Sequence, residues 1–185
     1  MTRAQMIVAG TVGLYCLFAA GSAHAMEPSP TAGHYSGAGL VGYGFNDGYK
    51  LGIGARGGYT LPSNLYVGGT LVYHLGSSQS TPIGDFKYNI AYFGAEGGYD
   101  LVAGPVIVRP YVGLGYAVLT ASLAGFSASS STVALWPGAT ALYPMGNLLL
   151  GADARFVITG STTNTDGSAQ GFSALGLFAT VGYQF

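Results

Sequence analysis

The last fifteen residues alternate so regularly that they leave little choice of secondary structure. Leu175, Leu177, Ala179, Val181, Tyr183 and Phe185 share one side, against Gly176, Thr180, Gly182 and Gln184 on the other. Successive side chains of a strand point to opposite faces, so a period of two means an extended segment with two unlike faces. The pattern recurs upstream. Leu51, Ile53, Ala55 and Tyr59 oppose Gly52, Gly54, Arg56 and Gly58. Val106, Val108, Pro110, Val112, Leu114, Tyr116 and Val118 oppose Arg109, Tyr111, Gly113 and Gly115. Followed along the chain, the alternation predicts strands over 35–46, 49–61, 64–76, 86–101, 106–120, 131–143, 147–159 and 171–185.

Helices are a poor alternative. The 185 residues include 32 glycines, and glycine in a helix interior costs about 1 kcal/mol relative to alanine. After residue 25 no stretch supplies the roughly 18 apolar residues of a membrane-spanning helix. Val112 to Phe126 comes nearest and is broken by Gly113, Gly115, Thr120 and Ser122.

The connectors alternate in length. Pro62-Ser63, Val102 to Pro105 and Pro144-Met145-Gly146 are short, and with an even strand count they lie at the same end as both termini. Ser77 to Asp85, Ala121 to Ser130 and Gly160 to Gln170 are longer, rich in Ser, Thr and Gly, and lie at the other end. Asn46-Asp47-Gly48 belongs to that second end but is short, and its Asp-Gly favours a tight hairpin.

Charge decides which face meets which solvent. Only 7% of residues are charged, against 49% hydrophobic. A soluble barrel, such as a lipocalin-like carrier, needs a charged exterior that this chain cannot cover. Turned inside out, the pattern works: Leu, Val, Ile and Ala face hydrocarbon, and Arg56, Glu96, Asp100, Arg109, Asp153 and Arg155 all fall on the inward face. An arginine on the lipid side near the midplane would cost ~2–4 kcal/mol. In the first strand Leu40 and Val41 fall on opposite sides, so its phase stays open. Tyrosines and phenylalanines gather near both strand ends, as interfacial girdles do.

Residues 1–25 read as a secretory leader. Arg3 precedes an apolar run from Ile7 to Gly21, and Ala23-His24-Ala25 has the small-x-small form of a cleavage site. The only cysteine, Cys16, lies within it behind Tyr15, which does not suit a lipoprotein site. Residues 26–34 then form a short periplasmic segment and 35–185 the barrel. Setting Arg3 aside leaves five basic side chains against seven acids, so no basic surface for nucleic acid is expected.

The leader, the eight alternating strands, the run Arg109-Pro110-Tyr111-Val112-Gly113-Leu114-Gly115 and the ending Val181-Gly182-Tyr183-Gln184-Phe185 resemble the small outer-membrane β-barrels of Gram-negative bacteria. That family includes the OmpA-type barrel, OmpX and the opacity-type proteins. The resemblance implies an all-β, eight-stranded, antiparallel, up-and-down transmembrane barrel in the outer membrane, with both termini periplasmic and the longer loops at the cell surface. It also implies lipid and lipopolysaccharide as surroundings and a monomeric state; with Cys16 in the leader and two histidines left in the mature chain, no metal site is expected, and no cofactor. Val181, Tyr183 and Phe185 resemble the terminal signal read by the barrel assembly machinery, although Thr180 stands where glycine is often found.

Eight strands enclose an interior just wide enough for side chains to fill. The six inward charges are therefore expected to form a structural polar plug. The inward face is also rich in glycine, including Gly42, Gly52, Gly94, Gly113 and Gly176. Glycine there makes room for Tyr92, Tyr111 and Trp136, or leaves a narrow pore or a slot for a lipophile. A lipid A-modifying enzyme is a remoter reading. His34-Tyr35-Ser36 has a His-x-Ser arrangement, but no carboxylate on that strand orients the imidazole, and His74 near Ser77 and Ser78 fits a plug or rim residue. The expected function is thus a non-enzymatic barrel that is structural or binds a surface receptor or matrix ligand. Asp85, Asp166 and Phe126 are the notable residues of its longer loops.

Overall fold

The computed structural model describes residues 27–46, 48–81, 84–123, 126–160, 162–163, 169–170 and 173–185. Eight antiparallel strands make the wall: β1 (Tyr35–Gly44), β2 (Lys50–Thr60), β3 (Leu65–His74), β4 (Gly84–Tyr99), β5 (Val106–Leu123), β6 (Phe126–Met145), β7 (Leu148–Thr159) and β8 (Ser173–Gln184). Each pairs with its sequence neighbours, and β1 closes on β8 from Ser36 opposite Gln184 to Gly44 opposite Gly176. The result is a closed eight-stranded up-and-down barrel with no helix among the described residues.

The short turns follow from two glycines. Gly104-Pro105 and Gly146-Asn147 each join paired strands through two residues, with φ of 61° and 63° at the glycines. A positive φ at the first turn residue is the type II′ pattern, whose twist suits a hairpin and which glycine adopts without strain. The first connector at the opposite end is longer than its Asp-Gly suggested. Gly44 pairs with Lys50, so five residues intervene, and Tyr49 donates its N–H to the Asn46 carbonyl at 2.9 Å. Asp47 lies outside the described residues, as do Asp166 and the leader, including Cys16.

The sheet also extends past the expected strand ends. β5 continues to Leu123 and β6 begins at Phe126, so most of the expected 121–130 loop is a paired ribbon from Leu119 opposite Ser130 to Leu123 opposite Phe126. Ser78–Thr81 likewise pairs with the start of β4. Phe126 to Ser131 are exposed on both faces, so no burial contrast marked that stretch as a strand. At the turn end β4 stops at Tyr99, Asp100 leaves the ladder, and Leu101–Ala103 resumes pairing with β5.

Alternation along every strand places large apolar residues on the outer wall and buries the other face. In β1, Leu40 is buried and Val41 is exposed, which settles that strand's phase. Phe178 is the inward residue that breaks the glycine-rich face of β8.

Candidate functional site: the charged lumen

Inward positions of β2, β4 and β7 bring four of the predicted charges to one level. Arg56 Nε lies 2.7 Å from Glu96 Oε2, and its Nη2 lies 3.0 Å from Asp153 Oδ2. Arg155, two residues beyond Asp153 on the same face of β7, donates from Nε to Asp153 Oδ1 at 2.7 Å, and its Nη1 stands 3.8 Å from Glu96 Oε1. Neutral donors complete the set. Tyr111 gives its hydroxyl proton to Asp153 at 2.8 Å, and the Trp136 indole N–H reaches Glu96 Oε1 at 2.8 Å. Thr140 accepts from Arg56 Nη1 at 2.7 Å and donates to Asp153 Oδ2 at 2.6 Å. The Arg56 guanidinium stacks 4.4 Å from the centre of the Tyr111 ring. Buried charges are tolerable when each is paired and hydrogen-bonded in this way.

The other two charges form a separate pair nearer the turns. Arg109 grips Asp100 in a two-pronged contact, Nε to Oδ1 at 2.5 Å and Nη2 to Oδ2 at 2.9 Å, and Nη2 also meets Thr60 Oγ1 at 3.1 Å. Its guanidinium lies 3.9 Å from the centre of the Tyr66 ring. The six predicted residues are therefore two clusters of balanced charge. Toward the loop end the lumen turns aromatic. Tyr49, His74, Tyr92 and Phe178 pack in succession, with His74 at 5.0 Å from Tyr49 and 5.8 Å from Phe178 between ring centres. Close approach explains one glycine well: a methyl at Gly113 would overlap the Trp136 indole.

Sequence reasoning set Tyr111 and Trp136 inward but did not assign them as partners of the carboxylates. It also missed Thr140, whose inward phase was the only signal, and Ser29, Thr31 and Asn64, which carry no periodicity. Among the described residues, neither His34 nor His74 meets a hydroxyl or carboxylate that would activate it. His34 Nδ1 lies 3.0 Å from the Phe185 carbonyl oxygen, and His74 Nδ1 lies 3.3 Å from the Lys50 carbonyl oxygen. The described residues contain no cluster of three metal-ligating side chains. Val181, Tyr183 and Phe185 stand together on the outer face of β8, with the last two rings in edge contact at 5.2 Å.

Comparison with solved structures finds the same architecture. Neisserial surface protein A superposes with a TM-score of 0.62 at 18% identity, over 83% of this chain and 98% of that one. Ail, the attachment invasion locus protein of Yersinia pestis, gives 0.51 at 19% identity, over 82% and 97%. The N-terminal barrel domain of Pseudomonas aeruginosa OprF gives 0.51 at 18%, over 83% and 98%. At such identities the likeness shows the fold. No curated relative matches the sequence. Residues 13–185 match the family described as outer membrane protein beta-barrel domain, and the chain belongs to that family.

Proposed function

We propose that this chain is a plugged, non-enzymatic barrel of the outer membrane that acts at the cell surface through its protruding ribbon. In this reading both termini face the periplasm, the longer loops face outward, and Val181, Tyr183 and Phe185 serve the assembly machinery. The filled lumen carries the first part. Two charge clusters and the aromatic tier cross the bore, and the gap beside Tyr49, Ile90 and Ser130 measures about 20 Å³, room for roughly one water. A depression of about 660 Å³ lies mainly along outward alanines such as Ala139, Ala141 and Ala152, so it belongs to the wall. Among the described residues a lipophile or solute path through the centre has little space. Refolded protein in planar bilayers is expected to show no stable unitary conductance, and regular channel steps would overturn the plug.

The ribbon carries the second part. The β6–β7 ladder reaches Ala134 opposite Thr159, while β6 continues to Phe126 with β5 on one side only among the described residues. Ser127–Ser131 are exposed, and Phe126 at the tip is 84% exposed. Natural edge strands are usually guarded by lysine, proline or a bulge; here no charge occurs between Arg109 and Asp153. An unguarded edge beside an exposed aromatic suits an extended polypeptide that adds as a further strand. Ail has been solved with a heparin analogue, but a polyanion needs a basic cluster, and outside the lumen and the leader this chain offers only Lys50 and Lys87. Lysine guards at Ser127 and Ser129 are expected to abolish binding of intact cells to proteinaceous matrix. Unchanged binding would remove the ribbon from the reading.

A further inference from the structure

The segment before β1 folds beneath the turn end and buries two hydroxyls. Ser29 and Thr31 are 4% and 1% exposed, while Pro28 and Pro30 beside them face outward. Ser29 donates to Asp100 Oδ2 at 3.1 Å, and Thr31 bonds the same oxygen. The Ser29 N–H is held by Asn64 Oδ1 at 2.9 Å, and Asn64 in turn donates to the Glu27 carbonyl. The acceptor, Asp100, sits where β4 leaves the ladder, and Arg109 already grips it from β5.

The base of this segment is stitched differently. Gly33 donates to the Thr60 carbonyl at 2.7 Å, and Thr60 donates back to the His34 carbonyl at 3.1 Å, extending the β1–β2 pairing. Gly33 has φ of 80°, with nothing near the site of a Cβ. Thus backbone bonds fix one end, a left-handed glycine makes the bend, and side chains alone hold the tip on Asp100. That arrangement belongs to a hinged element with a latch.

We propose that residues 27–34 form a lid over the turn end of the barrel, hinged at Gly33 and latched to Asp100 by Ser29 and Thr31. The lid is a second closure in series with the Arg56–Glu96 cluster. Release exposes the Asp100–Arg109 pair to water while the barrel wall and its central cluster stay intact, because neither uses the latch bonds. The inference goes beyond the surface role and stands whether or not the ribbon binds a partner.

Cysteine labelling tests it on the refolded chain from residue 26 onward, which has no thiol of its own. With a bulky, impermeant maleimide, Thr31→Cys, which keeps the Ser29 bonds to Asp100 and Asn64, should react at least about tenfold more slowly than Pro30→Cys, as expected of a site that must open locally. Adding Asp100→Asn to Thr31→Cys should raise labelling to the Pro30→Cys rate, with the heat-dependent gel shift of a folded barrel retained. Adding Arg155→Met instead should leave Thr31→Cys protected. Should Asp100→Asn lose the gel shift, Ser29→Ala with Asn64→Ala takes its place and must release the label in the same way. Equal labelling at the two cysteines, or protection that survives loss of the latch, overturns the lid.

Discussion

Trp136 donates its indole N–H to Glu96 Oε1 at 2.8 Å, tying β6 to β4 across the lumen over the intervening β5. It is the only tryptophan in the chain and is fully buried. Glu96 thus joins a neutral donor to the Arg56 and Arg155 charges. Glu96→Ala leaves those arginines with fewer acceptors in a dry interior, and its expected cost is about 3–5 kcal/mol. Glu96→Gln keeps an oxygen for the indole and should cost less. Urea unfolding in micelles followed by Trp136 fluorescence reads both, and an unchanged midpoint for Glu96→Ala would show that the cluster adds nothing to stability.

The two central arginines are not equivalent. Arg56 meets Glu96 at 2.7 Å, Asp153 at 3.0 Å and Thr140 at 2.7 Å, whereas Arg155 has one close carboxylate and stands 3.8 Å from the second. Replacing Arg56 with methionine removes the bridge between the acids and leaves two carboxylates facing one arginine. Arg155→Met leaves Arg56 between them. The same unfolding measurement should therefore rank Arg56→Met as the more damaging by at least about 1 kcal/mol. The reverse order would mean that the close contacts of Arg56 do not set the balance.

How much of this was legible depended on whether a residue's two neighbours faced unlike surroundings. Along β8, Leu177, Ala179 and Val181 meet the outside while Thr180 and Gly182 meet the lumen, and the strand could be read directly. The same contrast set all six inward charges in phase. Ser127, Ser129 and Ser130 had no such contrast, since β6 is exposed on both faces from Phe126 to Ser131, so a paired strand looked like a loop. Pairing inside the lumen was hidden for another reason. Asp100 follows the end of β4 and Arg109 lies on the next strand, yet Arg56 and Asp153 approach from β2 and β7, and only barrel closure brings them together. Ser29 and Thr31 lie outside any period, and nothing in their composition reports a carboxylate above them.

Glycine offers a paired test of how tightly the lumen is filled. At Gly113 a methyl would overlap the Trp136 indole, whereas at Gly97, on the outer face of β4, a methyl meets nothing within 4 Å. Overpacking a well-filled interior typically costs about 1–3 kcal/mol. Gly113→Ala is expected to fall in that range and to perturb Trp136 emission, while Gly97→Ala should be nearly silent or slightly stabilising. If both behave alike in the temperature at which the unheated gel form is lost, the bore is looser than the packing around Trp136 implies.

The same strand pair separates the part of the wall that meets lipid from the part that meets water. Leu114 on β5 faces outward midway along the ladder, opposite Ala95 and Leu135. Ser129 faces solvent on the ribbon, opposite Thr120. An arginine on the lipid face at the midplane costs roughly 2–4 kcal/mol and falls toward zero at the interface. Leu114→Arg should accordingly lower the stability of protein refolded into lipid vesicles by that amount, and Ser129→Arg should leave it unchanged. The difference must shrink for Leu114→Arg in a micelle of short-chain detergent, where the headgroup layer can reach the charge. Equal costs at the two sites in vesicles would place the ribbon inside the bilayer and take away the free edge on which the surface role depends.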